Sequence, residues 1–169
     1  MSTLLNKEGA PCADAFTFVE GDAPLPAGDV LVPFARLKAE GEALLAREGK
    51  LGVLIAPADQ IEAVGALLPR LALVAISFPA FRDGRGYSTA RLARERYGFT
   101  GELRAVGDVR EDQLFYMLRC GFDAFEVQTA DAQAALKRAA GTFSRVYQRA
   151  SDARTPVARL RRPVQEAAE

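Results

Sequence analysis

The chain has 169 residues, 49% of them hydrophobic and 26% charged, which suits one globular domain with a proper core and argues against a disordered polymer. Basic and acidic residues balance at 22 each, so the basic excess expected of a protein that neutralises nucleic-acid phosphates is missing. With no histidine and only two cysteines, Cys12 and Cys120, the sequence excludes a Ser–His or Cys–His nucleophile, a Cys/His zinc site and a four-thiolate cluster held by one chain.

Residues 1–28 read as a lead-in. Met1 to Asn6 carries neither a basic segment nor an apolar one of the kind that directs secretion, so the cytoplasm is the expected compartment. Asp14 to Glu20 offers one possible edge strand, and Gly21 to Gly28, with Pro24 and Pro26, breaks regular structure.

From residue 29 to 150 the pattern repeats five times: an apolar run, a turn, then residues at helical spacing. Val30 to Phe34 is the first strand, followed by a helix with Leu37, Leu44 and Leu45 on one face and Gly49 beyond its end. Leu51 to Ala56 is the second strand. Asp59 and Glu62 form a D-x-x-E helix start ahead of the stripe Ile61, Val64 and Leu68.

Leu71 to Phe78 is the third strand, too short to span a bilayer, so no membrane partner is expected. A long connection leads to a helix from about Ser88 to Gly98. Glu102 to Gly107 is the fourth strand. Asp108 and Glu111 repeat the D-x-x-E start, with Leu114 and Leu118 as the stripe and Gly121 as the stop. Phe122 to Val127 is the fifth strand. Thr129 is the expected cap of a last helix that turns Leu136, Ala140, Phe143 and Tyr147 inward. Residues 151–169, with Pro156, Pro163 and four arginines, read as a mobile tail or one that folds on a partner.

Alternating strands and helices predict an α/β fold built on a parallel sheet. Five units are too few for a closed eightfold barrel, which usually takes about 250 residues. An open flavodoxin-like sheet is the first choice, and a partial barrel, completed or covered by a homodimer, is the runner-up.

Ligands of such sheets bind beyond the carboxyl ends of the strands. The loop after the third strand has the residues for an anion: Arg82 and Arg85 as planar forks, Asp83, Gly84 and Gly86 to shape the backbone, and Tyr87 and Ser88 at a helix start. The alternative is a solvated Asp-Gly turn whose arginines pair with surface acids. Arg104 stands inside a strand, on the same face as Val106 and Asp108. It either joins Arg82 and Arg85 around one ligand with Asp108 orienting them, or snorkels or pairs with Asp108 or Glu126 as a structural bridge. No metal site is expected. Gly84 and Gly86 do not complete G-x-G-x-x-G, because Thr89 stands where the third glycine belongs. No cofactor is identified, and a flavin on the open sheet stays open.

The run Phe78-Pro79-Ala80-Phe81-Arg82-Asp83-Gly84-Arg85-Gly86-Tyr87-Ser88, with Arg91-Leu92 and Arg94 to Gly98, resembles a proteobacterial family of domains of unknown function. So do Gly101 to Val109, Asp112-Gln113-Leu114 and Arg119 to Phe125, and the resemblance is specific over about residues 51–127. Members of that family carry the label of an oxidoreductase of sulfite reduction and are encoded beside sulfite reductase. The resemblance implies a role in assimilatory sulfur metabolism, with sulfite reductase or another sulfur-assimilation enzyme as partner. It assigns no catalytic residue, and whether the chain is itself an enzyme is left open.

Overall fold

The computed structural model describes residues 2–160. Seven strands form one sheet: β1 (Thr3–Asn6), β2 (Thr17–Phe18), β3 (Val30–Pro33), β4 (Leu51–Ile55), β5 (Leu73–Phe78), β6 (Glu102–Val109) and β7 (Ala124–Val127). Five helices accompany them: α1 (Phe34–Leu45), α2 (Arg85–Arg91), α3 (Glu111–Cys120), α4 (Ala132–Gly141) and the single turn α5 (Val157–Leu160).

The strand order is β1-β7-β6-β5-β4-β3-β2. All neighbours are parallel except β1, which runs antiparallel to β7. From β2 to β7 the chain therefore moves one way across the sheet without reversing. Right-handed crossovers in sequential order put every connection on the same face, whereas a flavodoxin-like sheet must reverse direction and cover both faces. The expected α/β fold with a parallel sheet is present, and of the two arrangements considered its strand order is that of the partial barrel: a curled, open half-barrel.

Burial follows that one-sidedness. Val32, Val53, Ile76, Ala105 and Phe125 point into the main core, where they meet Leu37 and Leu44 of α1, Ala90 of α2, Leu114 and Met117 of α3, and Leu136 of α4. The alternate residues of the same strands form a second, small cluster of Leu31, Leu73 and Ala75, edged by the partly buried Phe16, Leu54 and Val106. A strand shows its faces alternately, so this second cluster is the opposite, inner face of the half-barrel. No helix covers it. Among the described residues no helix is long and apolar enough to cross a membrane.

Several local expectations change in the folded chain. Asp59 does not open an α-helix. Its Oδ2 accepts the N–H of Ala56 at 2.7 Å, and two 3-10 turns follow, Ile61–Val64 and Leu68–Arg70. Pro69 lacks an N–H and disfavours helix in the residue before it, which accounts for the broken segment, although Ile61, Val64 and Leu68 are buried as their spacing predicts. The helix expected from Ser88 begins at Arg85 and continues as one π turn, Leu92–Arg96, before Gly98 at φ +62°.

Asp108 is not a helix cap but part of β6. The step from Ala105 to Val109 spans only Phe125 to Val127 in β7, a bulge centred on Gly107 at φ +99°. The start of α3 falls to Arg110, whose N–H is accepted by Gln113 Oε1 at 3.0 Å. Asp131, not Thr129, caps α4, accepting the N–H of Ala134 at 3.1 Å. Phe143 and Tyr147 lie past the end of α4 and are exposed.

The segment expected as a tail from Ser151 is docked through Leu160. Ser151 N–H donates to Arg119 O at 3.1 Å, Arg154 donates to Ala140 O and Phe143 O, and Val157 N–H reaches Val146 O at 2.8 Å. The remainder of that expected tail, 161–169, lies outside the described residues.

Candidate functional site

β5 ends at Phe78, a fully buried ring packed on Tyr87 at 5.2 Å and Phe122 at 5.9 Å between centroids. The chain then turns at Pro79 to Gly84, with Asp83 N–H bonded to Ala80 O, and enters α2. Gly86 is buried here. A Cβ on it would stand 2.6 Å from Phe78 Cζ, so this glycine lets α2 close on β5 and does not serve backbone approach to a ligand. Gly84 has open space around it and an ordinary negative φ of −84°.

Asp83 and Arg85 form a two-pronged pair, Nε to Oδ1 at 2.9 Å and Nη2 to Oδ2 at 2.7 Å, with Arg85 largely exposed. The hydrogen bonds from Arg85 hold the Asp83 carboxyl below the ordinary aspartate value. Arg82 is exposed and has no ion-pair partner among the described residues. Ser88 is exposed on α2. Tyr87 is half-buried between Phe78 and Tyr116, and burial raises its phenol above the usual range against the opposing hydrogen bond to Gln113.

The neighbouring loop repeats the motif. Asp108 and Arg110 pair at 2.9 and 2.8 Å, and the Arg110 guanidinium sits 5.3 Å from the centroid of Phe81. Asp108 is held below its ordinary value by the Arg110 hydrogen bond first, with a smaller contribution from the Phe81 backbone. Phe81, two residues before Asp83, thus sets the loop that carries Asp83-Gly84-Arg85 against Asp108 and Arg110 at the carboxyl ends of β5 and β6. Arg110 escaped the sequence reading because Asp108 and Glu111 read as a capping pair. The repeated Asp-x-Arg spacing is the signal that could have found it.

Arg104 stands elsewhere, on the inner face of the sheet. Its register neighbours are Ala75 and Ala124, and these small side chains leave room for the guanidinium. Its Nε donates to Glu102 Oε1 at 2.7 Å and its Nη1 lies 2.9 Å from Asp14 Oδ1. Burial opposes its charge, but these two carboxylates outweigh that and keep its pKa above the ordinary arginine value. Neither Asp108 nor Glu126 is its partner: Asp108 pairs with Arg110, and Glu126 accepts from Ser2 Oγ at 2.7 Å. The structure therefore brings Arg82, Asp83, Arg85 and Asp108 to neighbouring loops with Arg110, and gives Arg104 its ionic contacts on a different surface.

The chemistry available to the loop cluster is that of guanidinium forks facing solvent, which match planar or tetrahedral oxyanions. The thiols add little. Burial pushes Cys120 up to about 11, far from a reactive thiolate, and Cys12 lies exposed in the lead-in. Among the described residues no three His, Cys, Asp or Glu side chains are grouped as metal ligands would be.

None of the curated proteins matches the chain. Residues 52–158, more than half of its length, match a family described as a bacterial protein of unknown function (DUF934), and the match runs through the docked segment beyond Ser151. The chain belongs to that family of bacterial proteins of unknown function.

Proposed function

We propose that the protein is a cytoplasmic accessory of assimilatory sulfite reduction that binds a small oxyanion at Arg82, Arg85 and Arg110. One observation supports the anion half of this reading. Two exposed Asp-x-Arg pairs, joined through Phe81, sit at the carboxyl ends of adjacent parallel strands. Arg85 and Arg110 each already hold a carboxylate in two-pronged geometry, and the exposed position of these pairs lets an external oxyanion exchange with the aspartate at little cost. The sulfur half rests on the resemblance carried by residues 78–98 and 101–125, and sulfite and sulfate are the oxyanions it suggests. The test is a calorimetric titration with sulfite, sulfate and phosphate on the wild type and on Arg85→Ala. Binding that disappears in the variant supports the site, and equal binding in both removes it. The alternative within the same geometry is an α/β enzyme acting on that anion without metal or histidine chemistry, which turnover of the bound anion would reveal.

A second reading, docking onto sulfite reductase itself, has its own support. Phe143 and Tyr147 are exposed to 55% and 85%, and Phe143 packs on Phe115 at 5.1 Å. Exposed aromatic side chains are the kind enriched at protein interfaces. Retention of the chain by purified sulfite reductase, lost on Phe143→Ser with Tyr147→Ser, is the expected result. Equal retention by the double variant places the contact elsewhere.

A further inference from the structure

The inner face of the half-barrel holds a cavity of about 320 Å³. Leu4, Phe18, Leu31, Leu54 and Val106 supply its apolar wall, and Arg104, Asp14 and Glu126 its charged groups. The cavity spans the middle of the sheet, from Leu31 of β3 and Leu54 of β4 to Arg104 and Val106 of β6 and Glu126 of β7. Its volume falls at the small end of ligand pockets, which run about 300–1,000 Å³.

Arg104 is the informative residue. It is only 4% exposed, and a guanidinium so placed needs partners for its N–H groups. Glu102, two residues away on the same strand, is a fixed partner for Nε. Nη2 donates no hydrogen bond among the described residues. The third group, Nη1, is met by Asp14, which differs from Glu102 in kind. Asp14 belongs to the stretch 12–16 without helix or strand, is half-exposed, and also accepts the N–H of Phe16 at 3.0 Å. Phe16 rests against the inner-face cluster with its ring 6.0 Å from the guanidinium. A carboxylate and an apolar ring from a segment without helix or strand thus occupy the place beside Arg104, in the manner of a bound aryl acid.

We infer that this cavity is a binding site for a small organic carboxylate with an apolar body, whose carboxylate takes Arg104 in place of Asp14 and whose body lies on Leu31, Leu54 and Val106. Glu126, held by Ser2 at the same cavity, repels a second negative charge and restricts the ligand to monoanions. This site is separate from the Arg82–Arg110 cluster and does not depend on it.

The experiment is calorimetry on the full chain with 2-naphthoate and with its neutral counterpart 2-naphthamide. The acid binds, and the amide binds at least about tenfold more weakly, because it forfeits a charge-assisted hydrogen bond to Arg104. Asp14→Asn tightens the acid by removing its internal competitor. Leu54→Glu, with a melting curve confirming the fold, weakens it, and Arg85→Ala leaves it unchanged. Equal affinity for acid and amide, or no heat from the acid with either the wild type or Asp14→Asn at millimolar ligand, overturns the inference. So does sedimentation showing a dimer that Leu54→Glu splits, which gives the inner face to a second copy of the chain. An acid response that Arg85→Ala abolishes belongs to the Arg82–Arg110 forks and likewise overturns the inference.

Discussion

Asp83 and Arg85, two residues apart at the start of α2, hold each other by both oxygens and two guanidinium nitrogens, with the arginine facing solvent. An exposed pair of this kind adds little to stability, because water and salt screen it. In the function proposed above, its effect is to keep the fork oriented and occupied until a better anion arrives.

Asp83→Asn is therefore expected to tighten sulfate or sulfite binding while leaving the melting temperature nearly unchanged. The same competition gives a pH dependence. Asp83 titrates below its ordinary value of 3.8, so its pairing is present above that value and is lost as pH falls through the lower folded value. Sulfate affinity in the wild type should rise as pH falls below 3.8 toward the lowered values of Asp83 and Asp108, and the rise should be smaller in Asp83→Asn. Isothermal titration across that window checks both, and a flat wild-type profile counts against the competition.

The two thiols should behave oppositely. Cys12 is exposed, whereas Cys120 is buried and pushed up to about 11 by that burial. A chromogenic disulfide reagent at mild alkaline pH is expected to modify one thiol quickly and the second only in denaturant. Rapid reaction of both in the native protein would show that the core around Cys120 opens.

The docked segment after residue 150 has a stability consequence. Arg119, buried in α3, donates to the Gln148 carbonyl and to Asp152. Arg119→Ala leaves Asp152 only its longer contact with Arg154, 3.8 Å away, and should cost about 1–3 kcal/mol in urea unfolding. Truncation after Ala150 should lower stability as well. An unchanged unfolding midpoint in both would mean that this segment contributes nothing to the domain.

Gly107→Ala tests the bulge. The residue has φ +99°, and an added Cβ would stand 2.6 Å from the Phe78 carbonyl oxygen. Both strains act together, so the variant should lose at least about 1–2 kcal/mol and disturb Asp108 next to it. Denaturation gives the first effect, and the loss of oxyanion binding gives the second.

How far the sequence carried depends on the distance over which each feature is decided. The five parallel strands were legible because Val30, Leu51, Leu73, Leu103 and Phe125 sit in short apolar runs between turn residues, and Gly121 ends α3 with the positive φ its position predicts. The order of the strands was not legible, since the same succession of units builds a reversing sheet or a sequential one. β1 was missed because Thr3 to Asn6 is too short to carry a pattern of its own, and only its pairing with β7 makes it a strand. Arg104 declared itself as a charge inside a strand, but its partner Asp14 lies far away in the chain and carries no local sign of the pairing. Asp108 misled because a carboxylate three residues before a glutamate reads as a cap, while Gly107 bends the strand and turns that carboxylate toward Arg110.

The most direct test of the oxyanion site is a thermal-shift titration with sulfite and sulfate on the wild type and Arg85→Ala. At about a hundred times its dissociation constant a bound ligand adds about 2.7 kcal/mol, which raises the melting temperature of a domain this size by roughly 5–10 °C. The account predicts that rise in the wild type and none in the variant. A rise of equal size in both, or none in the wild type at saturating anion, would contradict it.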